Sequence, residues 1–189
     1  MNIPGIKEGQ PHVYLKPGMI WIGNHSTVIS TVLGSCVSMT CFNSKSGYAA
    51  ICHALHPQCP KENECDEPCA YKYRYTTCAV EAIAQAMTNY MQHRADMEVK
   101  LFGGASLIAR RSRKPPAHSI GRANVEAAMK AINRLKLPLK VSNVGGNYGR
   151  KIIFDTATGL VHLKRLSGNC GGENDHRNPE VLKGKANGC

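Results

Sequence analysis

Residues 30–57, STVLGSCVSMTCFNSKSGYAAICHALHP, decide how the chain folds. From Cys36 to Phe42 small polar and apolar side chains alternate, the pattern of a half-buried β-strand. Asn43-Ser44-Lys45-Ser46-Gly47 has turn composition, and Gly47 can supply a positive φ. Tyr48 to Cys52 is strand-like again and ends at His53. Folding this hairpin back carries His53 toward the start of the first strand, where Cys36 sits. A thiol and an imidazole then share one end of a two-stranded ribbon.

Those two groups suit nucleophilic catalysis. An ordinary thiol has a pKa of about 8.5, so little of it is thiolate at neutral pH. A neighbouring imidazole takes the proton and returns one to a leaving ammonia or amine. Gly34 allows a sharp turn before Cys36, and backbone N–H groups around Ser35 and Cys36 can face a developing oxyanion. Such a donor contributes roughly 2.7–4 kcal/mol where it has been measured. Ser30 and Thr31 both offer a hydroxyl to orient the imidazole, and spacing does not choose between them. A buried hairpin with Cys and His as packing residues satisfies the same pattern, because free Cys is among the most buried residue types.

The rest of the chain bounds the answer. Its 189 residues suffice for one domain, and 42% hydrophobic residues is a globular composition. No apolar run approaches the ~20 residues of a membrane span, and the N-terminus lacks a signal-peptide core. A cytoplasmic protein with its nine cysteines reduced is therefore expected. The net charge of +11 raises nucleic acid as a partner, but an aromatic fraction of 6% provides no stacking platform. Steering toward an acidic protein partner accounts for the same charge.

Residues 1–17 read as a polar entry segment, and 19–22 as a short strand carrying the only Trp. Residues 58–75 are a polar loop with Cys59, Cys65 and Cys69, three thiols that invite a structural zinc or an iron–sulfur cluster. The fourth ligand would come from His56, Cys78 or Cys170. From Thr76 the period changes: Val80, Ile83, Ala84, Met87 and Met91 predict an amphipathic helix to about Arg94. Residues 97–102 predict a strand closed by the Gly103-Gly104 turn. Arg110, Arg111, Arg113 and Lys114 form an exposed basic loop. Ser119 or Asn124 can cap a second helix whose stripe is Val125, Ala128, Met129, Ile132 and Leu135, stopped by Pro138. Strands are expected at 139–143, 151–154 and 160–166, and a polar, flexible tail over 167–189.

Five blocks in order resemble the CheD family of chemoreceptor glutamine deamidases: Leu33-Gly34-Ser35-Cys36-Val37; His53-Ala54-Leu55-His56-Pro57; Leu101-Phe102-Gly103-Gly104-Ala105-Ser106; Ile120-Gly121-Arg122-Ala123-Asn124-Val125; and Gly145-Gly146-Asn147 with Arg150. The resemblance spans residues 18–166, with 58–75 as an insertion. It implies an α+β domain, a β-sandwich-like core of mixed sheets flanked by helices as in cysteine-based toxin deamidases. It implies Cys36 as nucleophile, His53 as base and a Thr just upstream of the L-G-S-C turn as the third residue, a place Thr31 and Ser30 both occupy. No cofactor is required for that chemistry. Gly103 and Gly104 are expected on the rim of the cleft, and Arg110, Arg111, Arg113 and Lys114 against an acidic receptor helix. The implied partners are chemoreceptor cytoplasmic helices and a CheC-type phosphatase, with no nucleic acid and no membrane insertion. A protein acting mainly as a binding regulator of either partner is the competing expectation.

Overall fold

The computed structural model describes residues 9–61, 69–90, 96–106, 119–166 and 180–182. Among these residues ten strands form two five-stranded sheets. The first contains β1 (His12–Tyr14), β3 (Val28–Leu33), β8 (Gly149–Asp155), β9 (Val161–Leu166) and β10 (Glu180–Leu182), in that order. The second runs β2 (Ile20–Gly23), β5 (Ala49–Cys52), β4 (Val37–Asn43), β6 (Met97–Gly103) and β7 (Leu139–Val144). Both are mixed: β1 pairs parallel to β3 and β6 parallel to β7, and the remaining pairings are antiparallel. The β6–β7 pair needs a crossover, which α2 (Ile120–Arg134) supplies.

Two apolar clusters define three layers. Val37, Met39 and Cys41 of β4 with Val99 and Leu101 of β6 meet α1 (Thr76–Asn89) through Val80, Ile83 and Met87, and α2 through Ala128 and Ile132. Between the sheets lie Ile29, Leu33, Phe42, Ile51, Phe102, Ile152, Phe154 and Leu163. A fully buried side chain of this size contributes roughly 1.5–3 kcal/mol, so this inter-sheet seam holds the domain together. Strand β4 is buried at every position, not on one face as its alternation predicts. Its small polar residues Ser38 and Thr40 face the first sheet instead of water, because a central strand in a three-layer fold has no solvent side.

Other local expectations are corrected as well. Val28–Leu33 is a full strand, and the entry segment contributes β1 beside it. Glu180–Leu182, in the stretch read as a flexible tail, pairs antiparallel with β9. Helix α1 ends at Asn89, short of Arg94. Ser119 is the cap of α2, accepting from the Arg122 N–H at 3.2 Å, and Asn124 lies inside the helix. Lys100 is buried between the sheets, where its ammonium meets Glu98 at 2.6 Å and donates to the Gly159 carbonyl at 2.8 Å.

Candidate active site

The chain crosses from the first sheet to the second at Gly34-Ser35-Cys36, between β3 and β4. Strand β3 turns Ile29, Thr31 and Leu33 inward; β5 does the same with Ala49 and Ile51, and the alternation continues to His53. Thr31 and His53 therefore meet across the gap, Thr31 Oγ1 lying 2.7 Å from His53 Nδ1. The same hydroxyl lies 2.8 Å from the Leu15 carbonyl. A carbonyl only accepts, so the hydroxyl proton goes to Leu15 and Thr31 accepts from the Nδ1–H. That tautomer leaves Nε2 with its lone pair, and Nε2 is buried with no hydrogen-bond partner among the described residues.

Cys36 lies on the same face. Val37 and Ala54 exchange hydrogen bonds of 3.0 and 2.9 Å, continuing the β4–β5 register beyond Thr40 opposite Ile51. In that register Ser38 is opposite His53, and Cys36 is the diagonal neighbour. Diagonal positions are about 7–8 Å apart, within the reach of an imidazole toward a thiol, and no hydrogen bond joins the two groups among the described residues. Cys36 is half-buried and His53 buried, so the thiol is the member of the pair that solvent or substrate reaches. Burial pushes the Cys36 thiol up, opposed by its own backbone N–H. Burial likewise pushes His53 below the usual imidazole range, opposed by the Leu15 carbonyl. Both shifts favour the neutral forms, a thiol and an uncharged imidazole.

Three successive carbonyls of the turn are tied back. Gly34 accepts from the Ala105 N–H at 2.8 Å, Cys36 from the Gly104 N–H at 2.8 Å, and Ser35 from the Asn124 side-chain amide at 2.9 Å. In a planar trans peptide the N–H points opposite to the preceding carbonyl. The N–H groups of Ser35 and Cys36 are therefore turned away from the block that holds the carbonyls. Gly103 and Gly104, expected on the rim, are buried within that block at φ of 104° and 68°. A Cβ on Gly103 would collide with the Cys36 carbonyl, and one on Gly104 with Val125. Both pack against the turn and support it.

Ser30 points to the opposite face of β3, where its hydroxyl lies 2.8 Å from His12 Nε2, out of reach of His53. Arg110, Arg111, Arg113, Lys114 and Cys65 lie outside the described residues. Cys59 is buried, and Cys69 and Cys78 are half-buried. Burial raises the Cys78 thiol against the Thr77 hydroxyl, and charge on Cys59, Glu81 or Cys69 would raise it further. Among the described residues no three His, Cys, Asp or Glu side chains are arranged to hold a metal ion. Cys52 and Cys41 are pushed up to about 11 and about 12 by burial and serve as packing groups.

Two partners of the site were not legible as such. Asn124 is wholly buried and sits in the stripe Gly121, Asn124, Ala128, Ala131 that α2 turns toward the sheet. A polar residue in an apolar stripe was the available signal. The Leu15 carbonyl had none, because every residue carries one. Arg150 is also wholly buried, paired opposite Leu33, with its Nε donating to Asn143 at 2.8 Å and its guanidinium 4.5 Å from the Tyr148 ring centre.

A thiol, a tautomer-fixed imidazole and a turn with two outward N–H groups are the kinds of group that cysteine-dependent acyl transfer uses. The sequence model described as CheD chemotactic sensory transduction matches residues 59–165. The chain is 38% identical over 157 residues to the probable chemoreceptor glutamine deamidase CheD 2 of Geobacter sulfurreducens, covering 83% of this chain and 91% of that protein. The probable chemoreceptor glutamine deamidase CheD of Maridesulfovibrio salexigens is 37% identical, over 82% of this chain and 91% of that protein. The namesake from Oleidesulfovibrio alaskensis is 36% identical, over 96% and 85%. This chain belongs to the CheD family.

Proposed function

We propose that this protein hydrolyses the side-chain amide of selected glutamines on chemoreceptor cytoplasmic helices, converting them to glutamate. The observation that carries the reading is the Thr31–His53 hydrogen bond, which leaves Nε2 as the acceptor nitrogen on the face that Cys36 shares. Cys36 Sγ attacks the carboxamide carbon while its proton passes to His53 Nε2, and the carbonyl electron pair moves to oxygen. Collapse breaks the C–N bond, His53 returns the proton to nitrogen, and ammonia leaves a thioester. Water then attacks with its proton going to Nε2, the C–S bond breaks, and the sulfur takes the proton back. Glutamate and the free thiol result. No step in this sequence calls for a cofactor.

No helix of the described residues is long and apolar enough to cross a membrane. Receptor cytoplasmic helices as substrate place the reaction in the cytoplasm, and the +11 charge favours encounter with an acidic helical surface. A CheC-type phosphatase as a second partner belongs to the same reading. The test is ammonia release and peptide mapping of a chemoreceptor cytoplasmic fragment whose methylation sites carry glutamine. Cys36→Ala and His53→Ala should abolish both while keeping the native circular dichroism spectrum. Full activity in either variant removes the mechanism; a Cys36→Ala protein that still acts in adaptation is a binder.

A further inference from the structure

We infer that Asn124 is a positioning residue for the oxyanion site: its side-chain amide holds the Ser35–Cys36 peptide so that the Cys36 N–H faces the reacting carbonyl. The inference rests on the proposed deamidase reading. Asn124 Nδ2 lies 2.9 Å from the Ser35 carbonyl and 2.8 Å from the Leu55 carbonyl. Both partners accept only, so the NH2 end of the amide must face them, and both its hydrogens are used. The first bond fixes the peptide just before the nucleophile. The second reaches the segment two residues past His53. One side chain thereby ties the turn carrying the thiol to the strand end carrying the base, on the far side from the Val37–Ala54 pair.

The other end of the amide shows what the residue is there for. Asn124 Oδ1 is buried and has no hydrogen-bond partner among the described residues. An orphaned buried acceptor is unfavourable, so a residue chosen only to stabilise α2 would be apolar, as Ala128 and Ala131 along the same stripe are. The helix keeps its approach close enough for this contact through Gly121, where a Cβ would meet the Ala105 carbonyl at 2.5 Å. Because the Ser35 carbonyl is held toward α2, the Cys36 N–H is held away from it. It is the N–H of the residue that carries the attacking sulfur in the proposed reaction. Releasing Asn124 frees this one peptide plane to rotate, while the Gly34 and Cys36 carbonyls keep their bonds to Ala105 and Gly104.

The experiment compares two reactions of the same thiol in the full-length protein. Deamidation of the receptor fragment develops an oxyanion; alkylation by iodoacetamide displaces iodide and develops none. Asn124→Ala is expected to lower kcat by about 10²-fold, the scale of a lost oxyanion donor, with KM unchanged. Its alkylation rate and the pH dependence of that rate should match the parent. Asn124→Ser, which keeps one hydroxyl donor, should fall between the two and serves if the alanine variant does not fold. The inference is overturned if kcat is unchanged, or if kcat and alkylation fall together, which is the mark of a general structural role. A parent protein without Cys36-dependent deamidation overturns the functional reading itself and this inference with it.

Discussion

Thr31 fixes which nitrogen of His53 is basic, and it does so with a proton it has already given away. Because its hydroxyl donates to Leu15, it can only accept from Nδ1. Thr31→Val keeps the shape and removes the acceptor, leaving a buried N–H with no hydroxyl to receive it and the ring free to adopt the other tautomer. The expected result is a kcat lower by about 10²-fold, the lower end of what a positioned base contributes, while Thr31→Ser retains most activity. In the parent the acid limb of kcat/KM reports neutral His53 and should lie below 6.5, the ordinary imidazole value from which burial lowers it. The profile should then be flat through neutral pH, because the raised Cys36 reacts as a thiol whose proton is taken during attack. An acid limb that instead follows ionisation of the thiol, well above 7, would mean a preformed thiolate and would reject the neutral pair.

Two glycines near opposite ends of β4 separate support of the site from support of the fold. Gly159 follows the β8–β9 turn, which Asp155 organises by accepting from the Ala157 N–H at 3.1 Å and the Thr158 hydroxyl at 2.6 Å. It sits at φ 72° with its missing Cβ aimed into the Phe42 ring. Gly103 sits at φ 104° against the Cys36 carbonyl. Alanine at either position is both strained and overpacked, and each substitution should destabilise by about 1–3 kcal/mol in urea denaturation. Only Gly103→Ala should also lower kcat, since it displaces the nucleophile turn. Equal kcat in the two variants would show that the turn tolerates movement.

The whole molecule should lose stability in mild acid. His53 and His162 are both buried, and both are lowered from 6.5, His162 by burial with the Asp155 charge opposing. The unfolded chain therefore takes up these protons first. Their contribution is fully present above about pH 6.5 and declines as pH falls through and below it. The denaturation midpoint should be lower at pH 5.5 than at 7.5. The +11 charge pushes the same way through self-repulsion, so the discriminating measurement is the His53→Asn/His162→Asn double variant. Its midpoint should vary less with pH than the parent's; an equal drop would assign the effect to net charge.

The sequence by itself determined the hairpin and both helices, because these depend on local alternation, turn residues and helical period, and it singled out Cys36 and His53 as the candidate pair. It also carried the marks of the family in short blocks with fixed order. Ser30 and Thr31 were equivalent at that level: both are hydroxyl residues at adjacent positions just before the turn. Only the pairing of β3 between β1 and β8 decided which of them faces inward, since neighbouring residues on a strand point to opposite faces. Gly103 and Gly104 were legible as a tight turn, and as a cleft rim only through the family resemblance, whereas the packing of α2 against them is a contact between distant segments. The same distance in sequence hid Leu15 and Asn124. A backbone carbonyl and a buried amide acquire their roles from what the fold places beside them, and no local pattern records that.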